Sequence, residues 1–415
     1  MMMMNWLFMD MNSYFASVEQ HLRPELRDRE VGVVPVQSEG SCVIAASLGA
    51  KRRGIKTGTR VREARQLCPA IVLVKARPNI YVQVHHAILR SVECSAPVQK
   101  VYSIDEWAIR LLGEERRPDQ AMQLGRQIKR KLLADFSPWL TGSIGIAPTR
   151  LLAKIACELK KPDGLVTLDA NELPDRLEHL KLTDLPGIAE GMLQRLRAHA
   201  ICTVRDLWNI SCKDSKRIWN SVQGEAWWLG FHGHDEPEPL THRRSMSHAN
   251  MLAPEFRNDA GAHGVLVRLL CKAASRLRHH HYYAHRLHVS VRSYGGHAWY
   301  DQAPLQTTQD TLTILRQFES LWQKRPWMDQ SRFAGRKNAW GTLEKVSITL
   351  SGLTAAAFTP SPLFPQEERL RRLSQAMDQL DRRWGPHTVY VGSLHEYRHT
   401  MDDKIAFGRI PDVVI

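Results

Sequence analysis

Two points in the chain set acids at the ends of apolar strands: Leu7-Phe8-Met9-Asp10, and Tyr102-Ser103-Ile104-Asp105-Glu106-Trp107. A lone carboxylate at a strand end is ordinarily a cap or a turn residue, and Asp10 alone would be read that way. The adjacent pair Asp105-Glu106, with strand-forming residues on both sides, is costlier, because the two charges repel unless a cation offsets them. Three such carboxylates on one sheet would make a site for hard divalent ions. Magnesium takes oxygen ligands and keeps positions open for substrate phosphates. Two ions can then activate an attacking hydroxyl and stabilise a leaving pyrophosphate. Neighbours on a regular strand point to opposite faces, so Asp105 and Glu106 converge only if the chain twists or turns there.

The elements that would carry these acids are legible from patterning. Residues 6–9 read as a short buried strand, followed by a helix over 14–22 that Asn12 or Ser13 can cap. Short apolar runs at 32–36 and 42–46 predict strands, and 60–66 and 80–92 predict helices. A hairpin is expected from 98–104 and 107–112 around the acidic pair. A cationic amphipathic helix follows at 121–133, then a strand at 142–146 and a helix over 149–159. The pattern is helical from about 170 to 232, and Asp235-Glu236-Pro237-Glu238-Pro239 reads as a charged, proline-broken linker. Beyond it strands are expected near 246–251, 286–292, 297–302 and 344–350, with helices at 262–277 and 311–323. That is a separate α+β domain. One more helix is expected at 366–384.

Composition narrows the function classes. The 415 residues suffice for several domains, and 43% apolar with 24% charged residues is ordinary for a globular protein. A net charge of +14 is compatible with simple solubility but favours a polyanionic partner. No run is long and apolar enough to span a bilayer, and the N-terminus meets Asp10 too early for a signal peptide. A cytoplasmic protein with no membrane partner is expected. The seven cysteines include no Cys-x-x-Cys pair, which argues against a disulfide framework or structural zinc. His279-His280-His281 reads as a solvated or DNA-facing loop rather than a metal site.

Four segments, in order, resemble one family, the Y-family (DinB/UmuC-type) translesion DNA polymerases. Met9-Asp10-Met11-Asn12-Ser13-Tyr14-Phe15-Ala16-Ser17-Val18-Glu19 is similar to its opening motif, and Tyr102-Ser103-Ile104-Asp105-Glu106 to its most specific signature. Gly142-Ser143-Ile144-Gly145-Ile146-Ala147-Pro148-Thr149-Arg150-Leu151-Leu152-Ala153-Lys154 resembles a third motif, and Lys160-Lys161-Pro162-Asp163-Gly164 follows it as in the family. The resemblance covers about the first 250 residues well and the rest more loosely.

It implies an α+β multidomain fold, a right hand with a C-terminal little finger. The expected parts are a palm at 1–15 and 78–168, fingers at 16–77, a helical thumb at 169–234, a linker at 235–245, a little finger at 246–357 and a tail at 358–415. Asp10 and Asp105 would hold two magnesium ions with the Met11 carbonyl, and Glu106 would complete the ion that activates the primer 3′-hydroxyl. Tyr14, Phe15, Lys51 and Lys161 would bind the dNTP, with Phe15 as the ring that clashes with a 2′-hydroxyl. A core aromatic is the plainer reading of Phe15, and a surface lysine that of Lys161. Where the family carries a Tyr and an Arg on the triphosphate, this chain has Leu48 and Lys51, which keeps a charge but loses the bidentate fork.

Primer–template DNA is the expected macromolecular partner. Leu185-Pro186-Gly187-Ile188-Ala189-Glu190 resembles a helix-hairpin-helix turn, whose backbone N–H groups at Gly187 and Ala189 would meet a phosphate. Arg243, Arg244 and Ser245 resemble the first strand of the little finger, placed to grip phosphates without reading sequence. Leu363-Phe364 could supply the apolar plug of a sliding-clamp peptide whose usual Gln is missing. Two rival readings are a catalytically weak polymerase-like accessory subunit and another two-metal enzyme such as a nuclease. The retained acids argue against the first. Ala46-Ser47-Leu48-Gly49-Ala50-Lys51-Arg52-Arg53-Gly54, which resembles the family's finger segment, and Lys161 have no role in a nuclease and argue against the second.

Overall fold

The computed structural model describes residues 3–237, 242–328, 341–360 and 365–398. The chain divides into two compact units between positions 238 and 239. Leu363 and Phe364, and part of the expected linker, lie outside the described residues.

In the first unit β1 (Trp6–Met11) leads directly into α1 (Tyr14–Leu22). A small sheet follows, made of β2 (Val31–Val34), β3 (Ala45–Ala46) and β4 (Val72–Lys75), with α2 (Leu48–Arg52) and α3 (Val61–Leu67) between its last two strands. The chain then runs through α4 (Pro78–Glu93), the hairpin β5 (Val98–Val101) and β6 (Glu106–Arg110), α5 (Pro118–Asp135), β7 (Gly142–Ala147), α6 (Arg150–Leu159) and β8 (Leu165–Thr167). Four further helices close the unit: α7 (Glu190–Ala198), α8 (Val204–Asn209), α9 (Cys212–Trp219) and α10 (Val222–Phe231).

The larger sheet has the order β5-β6-β1-β7-β8, so β1 is central and pairs antiparallel with both β6 and β7. Both faces of β1 are covered, which explains its almost unbroken apolar sequence. Leu7, Met9 and Met11 share a core with Ile88 and Val92 of α4 and Leu124, Ile128 and Leu132 of α5. Phe8 points the other way, into a core with Leu152, Ala153, Ala156 and Cys157 of α6. Strand alternation therefore puts Asp10 on the α6 face with Phe8. Helix α6 lies hard against this face because Gly145 of β7 has no side chain. A Cβ there would stand 2.0 Å from the Ala153 carbonyl oxygen and 2.2 Å from the Cys157 amide nitrogen.

Several local expectations change in three dimensions. The strand expected at 42–46 shrinks to Ala45–Ala46, while β4, β8 and α2 had no clear period of their own. Ser13 takes the N-cap position of α1 in a left-handed conformation (φ 51°) and makes no side-chain cap. Asn12 does not cap either: its side chain donates to Thr141 Oγ1 and accepts from Ser143 Oγ. Tertiary partners outcompete the cap. The region 170–184, expected helical, contains short 3-10 turns instead.

The second unit contains β9 (Ser245–Met251), α11 (Asp259–His279), β10 (Tyr282–Ser293), β11 (Ala298–Thr308), α12 (Thr311–Trp322), β12 (Leu343–Ser351), the short β13 (Thr354–Ala355) and α13 (Pro365–Trp384). Its sheet, ordered β11-β10-β12-β9, is antiparallel throughout. Leu287, Val289 and Val291 of β10 pack with Leu266 and Leu270 of α11 and Ile314 and Phe318 of α12. The alternate residues of β10 lie on the other face: Arg286, His288, Ser290 and Arg292, opposite Ser351, Thr349, Ser347 and Lys345 of β12. Helix α13 attaches through polar contacts: Arg278 donates to both Asp378 oxygens at 2.6 and 2.8 Å, and Thr311 N–H to Ser374 Oγ. No described helix is long and apolar enough to cross a membrane.

Candidate active site

A cavity of about 570 Å3 opens in the first unit, where the end of β1, the start of α1, the small sheet and the end of α6 converge. Its wall includes Asp10, Met11, Tyr14, Phe15, Lys51, Asp105 and Lys161, which are seven of the residues singled out from sequence. Leu48 lines it too. Residues as far apart in the chain as Asp10 and Pro162 thus share one concave surface, as enzyme sites do.

The acids arrive from neighbouring strands. Asp10 pairs in register with Glu106 across β1 and β6, and the Met11 N–H donates to the Asp105 carbonyl at 2.9 Å. Asp105 precedes β6, in a turn where Ser103 Oγ donates to its carboxylate at 2.5 Å. The buried ring of His85 holds this turn from α4, its Nδ1–H donating to the Ile104 carbonyl at 2.7 Å. Burial pushes His85 down to about 4, so it does so as a neutral imidazole. The turn answers the alternation problem, since Asp105 reaches the cavity from outside the strand while Glu106 lies inside it.

Charge is balanced within the site. Burial raises the Asp10 carboxyl above its ordinary range, Lys161 opposes this, and Glu158 and Asp105 add to the rise. Burial likewise raises Asp105, with the Glu106 charge contributing. Lys161 Nζ lies 2.9 Å from Asp10 Oδ2 and 2.6 Å from Glu158 Oε1. Desolvation and the nearby Lys161 lower the Lys51 ammonium. Glu106 is not part of the cavity wall; Lys154 Nζ donates to both of its carboxylate oxygens, at 2.6 and 2.8 Å.

Phe15 is 3% exposed and stacks on Tyr81 with ring centroids 4.6 Å apart. Tyr81 is held in turn, its hydroxyl donating to the fully buried Glu19 at 2.7 Å, and Arg77 donates to both Glu19 oxygens. The ring at the cavity wall is therefore braced from behind. The Tyr14 hydroxyl is already engaged, donating to the Tyr81 carbonyl at 2.6 Å. Any contact of Tyr14 with a ligand is left to its ring edge or backbone.

Other wall residues were given no site role from sequence. Arg52 and Thr57 belong to the small sheet's connections, and only folding brings them near Asp10. Ser13, with φ 51° and a buried hydroxyl lacking a partner, turns the start of α1 toward the cavity. The first-turn amides of a helix have no helical acceptors and carry positive partial charge, which suits an anion.

The expected DNA contacts lie apart from the cavity wall. Gly187 has φ 88°, a left-handed conformation that glycine tolerates, and Ala189 is the N-cap of α7. The element before this turn is one 3-10 turn, Leu182–Asp184, rather than a full helix. In the second unit Arg244 is exposed, Arg243 is half-buried with Nη1 unpartnered, and Ser245 opens β9 opposite Ser351.

The donor set suits a hard divalent cation. The carboxylates of buried Asp10 and half-buried Asp105 share one cavity with Met11, whose carbonyl would add a third oxygen. Among the described residues no three of His, Cys, Asp and Glu are drawn together as ligands, and Glu106 is paired with Lys154.

Residues 9–158 match the model of the impB/mucB/samB family, and residues 243–361 match its C-terminal domain. DNA polymerase IV of Moorella thermoacetica is 31% identical over 391 residues, covering 92% of this chain and 94% of that protein. DNA polymerase IV of Pelotomaculum thermopropionicum is 28% identical over 92% of this chain and 93% of its own. In fold, a Y-family DNA polymerase chimera of Dbh and Dpo4 superposes with a TM-score of 0.69 at 22% identity, over 84% of this chain and 99% of that one. An insertion ternary complex of Dbh DNA polymerase gives 0.55 at 21% identity, with 84% and 99% covered. With the acid-floored cavity, these similarities establish that the chain belongs to the impB/mucB/samB family, the Y-family DNA polymerases.

Proposed function

We infer that this protein extends a primer along a DNA template, as a translesion polymerase in DNA damage tolerance. The observation that carries the reading is the cavity itself: two acids on the floor, two lysines facing them and an aromatic ring on the wall. An accessory subunit without catalysis would have no need to set Asp10 and Asp105 together in one cavity.

In this reading Asp10, Asp105 and the Met11 carbonyl hold two magnesium ions, and Glu106 completes the set at the primer end. Magnesium supplies Lewis acidity to the primer hydroxyl and neutralises charge on the leaving pyrophosphate. Lys51, Lys161 and the first-turn amides of α1 hold the triphosphate, and Arg52 adds a donor at the same wall. Phe15 meets the sugar face and leaves no room for a 2′-hydroxyl. Tyr14 shapes the same wall. The backbone amides near Gly187 and Ala189, with Arg243, Arg244 and Ser245, hold phosphates of the primer–template without reading bases.

The domain assignment follows the same reading: palm at 1–15 and 78–168, fingers at 16–77, thumb at 169–234, linker at 235–245, little finger at 246–357 and tail at 358–415. A cytoplasmic, nucleoid-associated protein that meets a sliding clamp through Leu363 and Phe364 completes it. Primer extension with magnesium on undamaged and abasic templates tests the reading. Extension past the abasic site that is lost in Asp10→Asn supports it. No extension by the wild-type chain on either template rejects it.

A further inference from the structure

We propose that Lys154 is a positioning residue that holds Glu106 out of the metal site, so that Glu106 joins it only by exchanging an internal ammonium for a divalent cation. The inference rests on the polymerase reading and goes beyond it, because it concerns what the third acid does when it is not a ligand.

The contact is built into the fold rather than offered by a loose surface side chain. Gly145 lets α6 approach the sheet to van der Waals distance. Lys154, Glu158 and Lys161 follow one another at helical spacing of four and three residues, so α6 and its end present them to one face. Lys161 reaches Asp10 at 2.9 Å, and Lys154 reaches both oxygens of Glu106 at 2.6 and 2.8 Å. The two acids are cross-strand partners, so two lysines cover two neighbouring carboxylates. Lys154 is further fixed by the Phe8 ring, whose centroid lies 5.3 Å from Nζ. The Glu106 side chain is 19% exposed and that of Lys154 30%, so the pair is only partly screened by water.

The physical consequence has a definite sign. While Lys154 holds Glu106, two acids face the cavity and the third is neutralised. Without the ammonium, Glu106 stands beside Asp105 with no counter-charge, and a divalent cation is the best relief available. A lysine that merely supported the fold would weaken metal binding when removed. A lysine that withholds a ligand strengthens it.

The test measures Mn2+ binding to the full chain without DNA or nucleotide, counting free Mn2+ by electron paramagnetic resonance. Melting temperatures show which variants are folded. Lys154→Met is expected to tighten Mn2+ binding about tenfold, the size of one charge-assisted contact. Lys154→Arg, which keeps the charge, is expected to stay near wild type. In a Glu106→Gln background Lys154→Met should change nothing, since its target is gone. Unchanged or weaker binding in folded Lys154→Met overturns the proposal, as does equal tightening in the Glu106→Gln background. If Lys154→Met does not fold, Lys154→Gln replaces it under the same criteria. Failure of the polymerase reading looks different: Asp105→Ala would then bind Mn2+ as tightly as wild type.

Discussion

The molecule contains two sheets that solve opposite problems. The five-stranded sheet of the first unit is covered on both faces, and its acids sit where a helix, a turn and a small second sheet close around them. Among the described residues, the four-stranded sheet of the second unit is covered on one face only, and its other face carries Arg286, His288, Ser290 and Arg292 with Ser347 and Thr349. Enclosure makes charge strong and geometry fixed, which chemistry requires. An open face of hydroxyls and bases keeps its charges in water, where they can hold a phosphate backbone of any sequence. On the proposed function, the difference means that carboxylate positions would set rate in the first unit, while the second unit's open face would set only affinity.

Asp105→Ala is the severest challenge to that division. It should lower primer extension by about a thousandfold or more while the DNA dissociation constant moves little. Single-turnover extension and fluorescence anisotropy on one preparation decide; a variant that extends within tenfold of wild type would contradict the role given to the first sheet. Phe15→Ala comes next. Ribonucleotide insertion relative to deoxynucleotide insertion should rise by about a hundredfold, on the reasoning that the block is steric overlap worth a few kcal/mol. Because the ring also stacks on Tyr81, the variant should lose about 3 kcal/mol of stability. A lower melting temperature with unchanged sugar discrimination would make Phe15 a core residue only.

Lys51→Ala should raise the KM for dNTP about tenfold, the loss of one charged contact to phosphate, with DNA affinity nearly constant. A rise in the DNA dissociation constant alone would reassign Lys51 to the template. The gentlest change lies on the open sheet. Arg286→Ala with Arg292→Ala should weaken DNA binding about threefold to tenfold and flatten its salt dependence by about one unit of slope per lost phosphate contact. The single-turnover rate at saturating DNA should not change. If that rate falls with the affinity, the two sheets are not separable in function.

The chemistry-bearing residues were largely legible because their signals are local. Leu7-Phe8-Met9-Asp10 and the Asp105-Glu106 pair declare strand ends with charge, and Tyr14–Leu22 and Asp259–His279 carry clear helical periods. The strands Ala45–Ala46 and Val72–Lys75 and the helix Leu48–Arg52 are too short to show a period; the strands exist because a neighbouring strand completes their hydrogen bonds, and the helix is capped by Ser47. The cap expected at Asn12 or Ser13 failed for a related reason: Thr141 and Ser143, more than a hundred residues away, claim the Asn12 side chain.

By itself, then, the sequence determined which acids, lysines and rings are present and the order of the elements that carry them. The tertiary structure alone decided which of them meet. Arg52 and Thr57 reach the cavity only when the small sheet folds, and the Asp105 turn separates it from Glu106 despite their adjacency. A glycine that reads as unremarkable in sequence, Gly145, lets α6 come close enough for Lys154 to claim Glu106 and Lys161 to claim Asp10. Local pattern records what a residue prefers near its neighbours in the chain, whereas the pairing of buried charges depends on distances that only packing sets.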